Sequence, residues 1–431
     1  MRVFIGSYGC SANLADGEVL AGCLAKAGYE IVKAAGAADM VICNTCAVKG
    51  PTEDRMIAFL KRVPPDKKLI VAGCLPLINF ERLRREVYFD AVVGPAAGDK
   101  IVDAADRVSN DQKVVALEGA VDAKPSPDLP RLRLNPVIGI IPINYGCLGS
   151  CAYCCVVAAR GRLRSYSTQE IVERVKRDLT SGVKEFWITS QDTACYGKDI
   201  GTSLANLLTA LCSIDGDFRV RVGMMTPNLA KKTTGELIRA FESEKIFKFL
   251  HLPVQSGDDE VLKRMRRPYS VEDFKETVNA YRASFPQATI ATDVICGFPG
   301  ETEEAFERTL SLIRDIQPDI VNVSKFFARP KTAATDMRKD FLSSQEIKHR
   351  SGLTVKVAKK VASETNKRWI GWSGEIIVDE VGKVPGSWMG RNFAYKPIVL
   401  KNSVSSDPIG KTFHVKVLNA FTTYLEGKIV K

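Results

Sequence analysis

Residues 137–155 read VIGIIPINYGCLGSCAYCC, an apolar run that passes directly into four cysteines. A run of that kind, without alternation of polar and apolar positions, is a strand covered on both faces, and such strands belong to parallel α/β sheets. Parallel sheets bind their ligands at the carboxyl ends of the strands, where the strand-to-helix loops converge. Cys147, Cys151 and Cys154, spaced Cys-x3-Cys-x2-Cys, fall just beyond such an end. The chain is therefore expected to fold around parallel α/β layers and to place thiols where the chemistry occurs.

Five more strand-like runs follow: EFWITSQ, FRVRVGMMT, FKFLHLPVQSG, ATIATDVICGFPG and DIVNVSKFFARP. Helical stretches such as TQEIVERVKRDLTSG and TEEAFERTLSLIRDI separate them. Six strands in about 190 residues predict an incomplete parallel (β/α)6 barrel, not a closed eightfold one. Upstream, VFIGSYGC, DMVICNTC and KLIVAGC read as buried strands, the first two followed by the helical patterns DGEVLAGCLAKAG and PTEDRMIAFLKRV. Cys10, Cys46 and Cys74 each lie just past one of those strands, so three thiols far apart in sequence are expected to be neighbours at one sheet edge.

The expected organisation is an N-terminal open α/β parallel-sheet domain (1–110), a Pro-rich charged linker (111–135), and a barrel domain (136–368) whose end is a basic helix from 338. A small all-β, OB-like module follows at 369–431, inferred from short alternating runs such as GEIIVDEV and KTFHVKVLNA broken by Gly, Pro, Asn and Ser.

Counting donors separates the readings of Cys147, Cys151 and Cys154. Structural zinc takes four ligands, and the three histidines lie far away at 251, 349 and 414, although Cys155 offers a fourth thiol. A redox pair uses two thiols and leaves Cys147 without a role. A [4Fe–4S] cluster held by three cysteines keeps one iron open for a substrate or cofactor.

Twelve cysteines without a signal peptide point to a reducing compartment and a cytoplasmic protein, and no run approaches a membrane span. The net charge is +11, and between Arg338 and Lys431 seventeen Lys or Arg oppose eight Asp or Glu. A basic terminal region suggests a nucleic-acid partner.

The Cys-x3-Cys-x2-Cys loop after the first barrel strand resembles that of the radical S-adenosylmethionine (SAM) superfamily. With GC at 9–10, NTC at 44–46, AGC at 72–74 and a small terminal β domain of TRAM type, the whole chain is similar to the methylthiotransferases. YGCSANLADGE, ARGRLRSYS, ITSQDTACYGKDIGT, HLPVQSG and TDVICGFPGET resemble the archaeal and eukaryotic branch that acts on N6-threonylcarbamoyladenosine (t6A) in tRNA. The chain stops at Lys431 without the membrane-anchoring tail of the eukaryotic members, which fits an archaeal-like soluble form.

The resemblance implies two [4Fe–4S] clusters, one on Cys147, Cys151 and Cys154 that binds SAM, the other on Cys10, Cys46 and Cys74. It implies addition of a methylthio group at C2 of the adenosine 3′ of the anticodon. It also implies tRNA, through its anticodon stem-loop, and an electron donor such as a flavodoxin or ferredoxin as partners of a monomer. Related enzymes acting on isopentenyladenosine tRNA or on a ribosomal protein share this framework, and a non-catalytic RNA-binding Fe–S protein is the alternative from another class.

For SAM, the resemblance singles out Tyr153 beside the loop, Gln191 and Asp192 after the second barrel strand, Gln255 and Ser256 after the fourth, and Gly297 and Gly300 in GFPGE. The alternative for each strand-end residue is a turn or helix cap, Asp192 and Ser256 first among them. Candidate RNA contacts are Arg160, Arg162 and Arg164 after the cluster loop, Lys356, Lys359 and Lys360 on the basic helix, and Arg391, Lys396 and Lys401 on the terminal module, with Phe393 and Tyr395 available to stack on bases. Cys43 competes with Cys46 as a ligand but occupies an apolar strand slot, and Cys23, Cys212 and Cys296 read as core. Cys155 and Cys195 adjoin the expected site.

Overall fold

The computed structural model describes residues 1–47, 50–401 and 407–430. Six parallel strands form the first sheet: β1 (Arg2–Ser7), β2 (Glu30–Val32), β3 (Met40–Thr45), β4 (Lys68–Gly73), β5 (Ala91–Val93) and β6 (Val114–Ala116), in the order β2-β1-β3-β4-β5-β6. Every position of β3 is buried, as a strand covered on both faces requires. Met40 and Ile42 face one apolar layer with Val19, Leu20 and Ile70, while Val41 and Cys43 face the other with Ile57 and Val71. Cys43 is thus core. The sheet runs to Ala116, past the expected boundary at 110, because β2, β5 and β6 are three-residue strands too short to leave a pattern.

The linker is a strap rather than a loose tether. Leu132 N–H donates to Glu18 O at 2.9 Å and Leu134 N–H to Glu18 Oε1 at 3.2 Å, while Arg131 Nη1 donates to Ile140 O at 2.7 Å. Buried backbone groups must find such partners, and here they bind the helix Ser11–Lys26 to the barrel.

The second domain begins with β7 (Ile138–Pro142), then the short pair β8 (Asn144–Tyr145) and β9 (Arg164–Ser165), which flanks the cysteine loop. β10 (Glu185–Thr189) and β11 (Arg219–Val222) complete one parallel sheet with β7; β12 (Phe249–His251), β13 (Thr289–Cys296) and β14 (Ile320–Lys325) form another. A parallel bridge between Val220 and Ile246 joins the two, giving six barrel strands at the expected positions. Ile141, Phe186, Val220, Leu250 and Ile290 fill the core between strands and helices.

The helix Ser344–Lys367, capped by the Ser343 hydroxyl, leads to β15 (Ser373–Val381), β16 (Ser387–Arg391), β17 (Pro397–Lys401), β18 (Thr412–Ala420) and β19 (Leu425–Ile429). These close as a five-stranded barrel around Trp369, Val378, Leu400, Val415 and Leu425. Among the described residues, no helix is long and apolar enough to cross a membrane.

Candidate active site

β1, β3 and β4 are neighbours in the sheet, so the loops leaving their carboxyl ends bring Cys10, Cys46 and Cys74 together. The loop before Cys10 packs against Cys46. Gly9 has φ +117°, and a Cβ there would stand 2.6 Å from Cys46 Cβ and 2.9 Å from its Sγ, so only glycine fits. Cys10 is the N-cap of the helix Ser11–Lys26. Cys74 N–H donates to Thr45 O at 3.0 Å, which fixes the third thiol against the second loop.

Cys147, Cys151 and Cys154 lie in the loop after β8, and each sulfur accepts an N–H. Gly149 N donates to Cys147 Sγ at 3.2 Å, Arg267 Nη1 to Cys151 Sγ at 3.3 Å and Val156 N to Cys154 Sγ at 3.5 Å. Such bonds suit sulfur carrying negative charge. Burial first, then the mutual proximity of the thiols, pushes Cys154 well up; burial, followed by nearby Asp192, pushes Cys147 up to about 11. Cys147 and Cys154 are therefore held protonated until a metal centre displaces the protons.

No three described His, Cys, Asp or Glu side chains converge tightly enough to share one metal ion. A cubane spreads its thiolates over separate corners, and three cysteines per cluster leave one iron open.

The carboxyl edge of the sheet and the carboxyl mouth of the barrel face each other. Cys155 Sγ donates to Ala47 O at 3.5 Å and packs in one apolar cluster with Cys74, Ile78 and Ala159. Arg160 Nη2 donates to Asp16 Oδ2 at 2.6 Å, Arg329 is paired with Glu53, and Lys331 Nζ donates to Leu77 O at 2.8 Å. Each of these bonds joins the barrel domain to the sheet domain.

Around the barrel mouth, both amide ends of Gln191 are buried without a hydrogen-bond partner, as suits a side chain that awaits a ligand. Asp192 instead accepts from Ala194 N at 3.1 Å, Thr226 N at 3.0 Å and Thr226 Oγ1 at 2.6 Å, and Ser256 Oγ accepts from Asp258 N at 3.2 Å. These are capping bonds. Tyr153 stands edge-on to Phe298, 6.4 Å between centroids. Gln255 holds φ +71°, a strained conformation for a residue with a side chain and one that concentrates at functional sites. Gly297 N donates to Glu301 Oε2 at 2.8 Å, and a Cβ on Gly297 would meet Ile347 at 2.5 Å; Gly300 N donates to Asp340 O at 2.9 Å.

The RNA expectations divide sharply. Lys356, Lys359, Lys360 and Arg162 are exposed, and Lys401 is exposed beside Glu426 at 3.0 Å. Arg160, Arg391 and Lys396 are corrected. Arg160 is 3% exposed on Asp16; Arg391 is held by Asp379 and Glu380, both at 3.0 Å; Lys396 Nζ donates to Asp319 and Asn366, both at 2.7 Å. A phosphate cannot reach them without breaking buried ion pairs. Arg164 donates through Nη1 to the carbonyl of Arg162 and through Nη2 to those of Arg160, Val121 and Ala123, so it ties down the cluster loop. Tyr395 packs on Phe247 and Phe249 at 4.9 and 5.3 Å and is core, whereas Phe393 is 38% exposed. Arg267 and Arg329 leave no local mark in the sequence, because their partners are remote along the chain.

A partial barrel with three thiols after its first strand defines a radical SAM protein, and a model of the Radical SAM superfamily matches residues 141–313. That class works with a [4Fe–4S] cluster and SAM. A model of the Uncharacterized protein family UPF0004 matches residues 2–94. The chain is 41% identical over 432 residues to the "Probable threonylcarbamoyladenosine tRNA methylthiotransferase" of Pyrococcus horikoshii, covering 100% of both chains. It is 34% identical to the "Threonylcarbamoyladenosine tRNA methylthiotransferase" of Homo sapiens, covering 100% of this chain and 74% of that one. The chain belongs to the threonylcarbamoyladenosine tRNA methylthiotransferase family. Among solved structures, the radical SAM methyltransferase TsrM of Kitasatospora setae, with cobalamin and a [4Fe–4S] cluster bound, shares the fold at TM-score 0.54 and 14% identity, over 94% of this chain and 83% of that chain.

Proposed function

We propose that this protein adds a methylthio group to C2 of N6-threonylcarbamoyladenosine 3′ of the anticodon in tRNA. The observation that supports the reading is the contact between the segment that follows Cys154 and the sheet domain, through Cys155 to Ala47 and Arg160 to Asp16, in a chain similar over its full length to enzymes named for that reaction. Cys147, Cys151 and Cys154 hold the SAM-binding cluster in this reading, and Cys10, Cys46 and Cys74 hold the second. When bound, the first cluster would supply one-electron cleavage of one SAM's sulfonium, and the second would bind or supply the sulfur, whose methyl comes from another SAM.

The chain's own residues position and shield. Arg267 orients Cys151 while its Nε donates to Tyr269 Oη at 2.9 Å. Gln191, Tyr153 and Gln255 line the SAM side of the junction, and the Gly297–Gly300 turn receives the adenine. Ala152, Phe298, Phe326 and Ala334 pack behind the cluster loop and keep water from its rear. Lys356, Lys359, Lys360, Arg162 and Lys401 offer cations to the RNA backbone, and Phe393 offers an exposed ring for stacking. The target base leaves the anticodon-loop stack to enter the junction, a modest cost in a single-stranded loop. A flavodoxin- or ferredoxin-type donor supplies electrons, and the protein acts as a cytoplasmic monomer.

Anaerobically reconstituted protein, given SAM, a reductant and two tRNAs carrying either t6A or isopentenyladenosine, tests the reading by nucleoside mass analysis. A methylthio gain on the t6A tRNA alone is expected. A gain only on isopentenyladenosine, or on neither while SAM is still cleaved, contradicts the substrate and turns the search to the alternative tRNA or a ribosomal protein.

A further inference from the structure

Arg160 belongs to the helix Val156–Arg160 that leaves the loop triad, yet its guanidinium lies in the other domain, against Cys74 and within electrostatic reach of Cys10. Its orientation is fixed from behind. Nη2 donates to Asp16 Oδ2 at 2.6 Å and Asn13 Oδ1 at 3.1 Å. Asp16 is held by the Tyr145 hydroxyl at 2.7 Å, and Asn13 Nδ2 is tied to Tyr8 O at 2.6 Å and Asn44 O at 3.2 Å. Nη1, in contrast, is buried with no hydrogen-bond partner.

We infer that Arg160 is the hydrogen-bond donor to anionic sulfur at the second cluster, serving the Cys74 thiolate and a sulfide or thiolate ligand at the open iron. The inference rests on the reading of Cys10, Cys46 and Cys74 as cluster ligands. A neutral thiol is a weak acceptor, so Cys74 as a thiol satisfies the buried Nη1 protons poorly. Anionic sulfur is a charged acceptor and completes the arrangement. A device that only clamped the two domains would need Nη2 and Asp16 alone. The loop triad provides an internal precedent, since Arg267 Nη1 donates to Cys151 Sγ at 3.3 Å. Arg160 is thus a positioning residue: it steadies negative charge on sulfur and makes the second cluster easier to reduce.

The test uses the full-length, reconstituted protein and two variants. Asp16→Asn with Arg160→Met removes the pair together, so that no buried charge is stranded. Arg160→Lys keeps a cation for Asp16 but lacks the second donor nitrogen. Methanethiolate is titrated while the EPR signal of the reduced second cluster is followed, and the midpoint potentials of both clusters are measured; a Cys147→Ala, Cys151→Ala, Cys154→Ala chain supplies the second cluster's spectrum alone. Both variants are expected to bind methanethiolate more weakly, on the order of tenfold, and to shift the second cluster's midpoint negative while the SAM cluster's stays put. Unchanged affinity and midpoint in the Arg160→Lys chain with two clusters present overturn the inference. If the unsubstituted chain takes up one cluster only, the reading of the scattered triad fails first and the inference falls with it.

Discussion

The two thiol triads reach the same donor set by opposite routes. The loop triad is nearly self-contained: two of its three N–H···S bonds come from its own backbone, at Gly149 and Val156. The scattered triad is made by topology, because β1, β3 and β4 are adjacent in a sheet whose strand order differs from chain order. Its surroundings are borrowed as well, from a helix N-terminus at Cys10 and from Arg160 of the other domain. A site built by one loop tolerates changes in domain docking; a site built by sheet order and docking does not.

The largest effect comes from the thiols themselves. Replacing Cys147, Cys151 or Cys154 by Ala should abolish both 5′-deoxyadenosine release and methylthio product. Replacing Cys10, Cys46 or Cys74 should abolish product while SAM cleavage and tRNA binding persist. Product from a Cys10→Ala or Cys46→Ala chain would break the two-cluster assignment. Next in size, Gly9→Val places a branched side chain where a Cβ already stands 2.6 Å from Cys46. Iron should be lost from the second site with the loop triad's share retained, and equal loss from both would erase the proposed difference. Arg267→Leu probes the other side. It removes the donor to Cys151 and leaves Pro253 O without its Nη2 partner at 3.3 Å, so SAM cleavage should fall by about tenfold with the second cluster's iron unchanged.

The helix that begins at Cys10 carries a pH-dependent weakness. Burial pushes Glu18 from 4.5 up to about 7. The folded state therefore holds this proton more tightly than the unfolded chain, so the contribution of Glu18 to stability is fully present below about 4.5 and is lost as pH rises through about 7. Glu18→Gln should flatten that slope, gaining on the order of 2–3 kcal/mol at pH 8 relative to the parent chain. Thermal melts across that range measure it, and parallel slopes for the two proteins would refute the burial argument. The smallest effect belongs to the surface: Lys356→Gln, Lys359→Gln and Lys360→Gln together should weaken tRNA binding and flatten its salt dependence. An unchanged salt slope would place the RNA elsewhere.

How far the sequence reveals each region follows from the same contrast. The six barrel strands and the loop triad are local patterns, and both stand where the apolar runs and cysteine spacing place them. The scattered triad is legible only through the rule that ligands gather at carboxyl strand ends. Side-chain partnership is not legible at all: Arg160 reads as a basic residue after a loop, and nothing local announces Asp16, 144 residues away. Arg391 and Lys396 mislead in the same way, because the carboxylates of Asp379 and Asp319 lie 12 and 77 residues away along the chain. Burial pushes the Asp379 and Glu185 carboxyls up at that joint, a sign of how dry the contact between the barrel and the terminal module is.

The most direct test of the account is iron content, with Mössbauer spectra, for three anaerobically reconstituted full-length proteins: the unsubstituted chain, a chain with Cys10, Cys46 and Cys74 replaced by Ala, and a chain with Cys147, Cys151 and Cys154 replaced by Ala. The account predicts that each triad chain keeps about half the iron of the parent, with a cubane spectrum in both. A Cys10, Cys46, Cys74 chain that retains all of the parent's iron would contradict it.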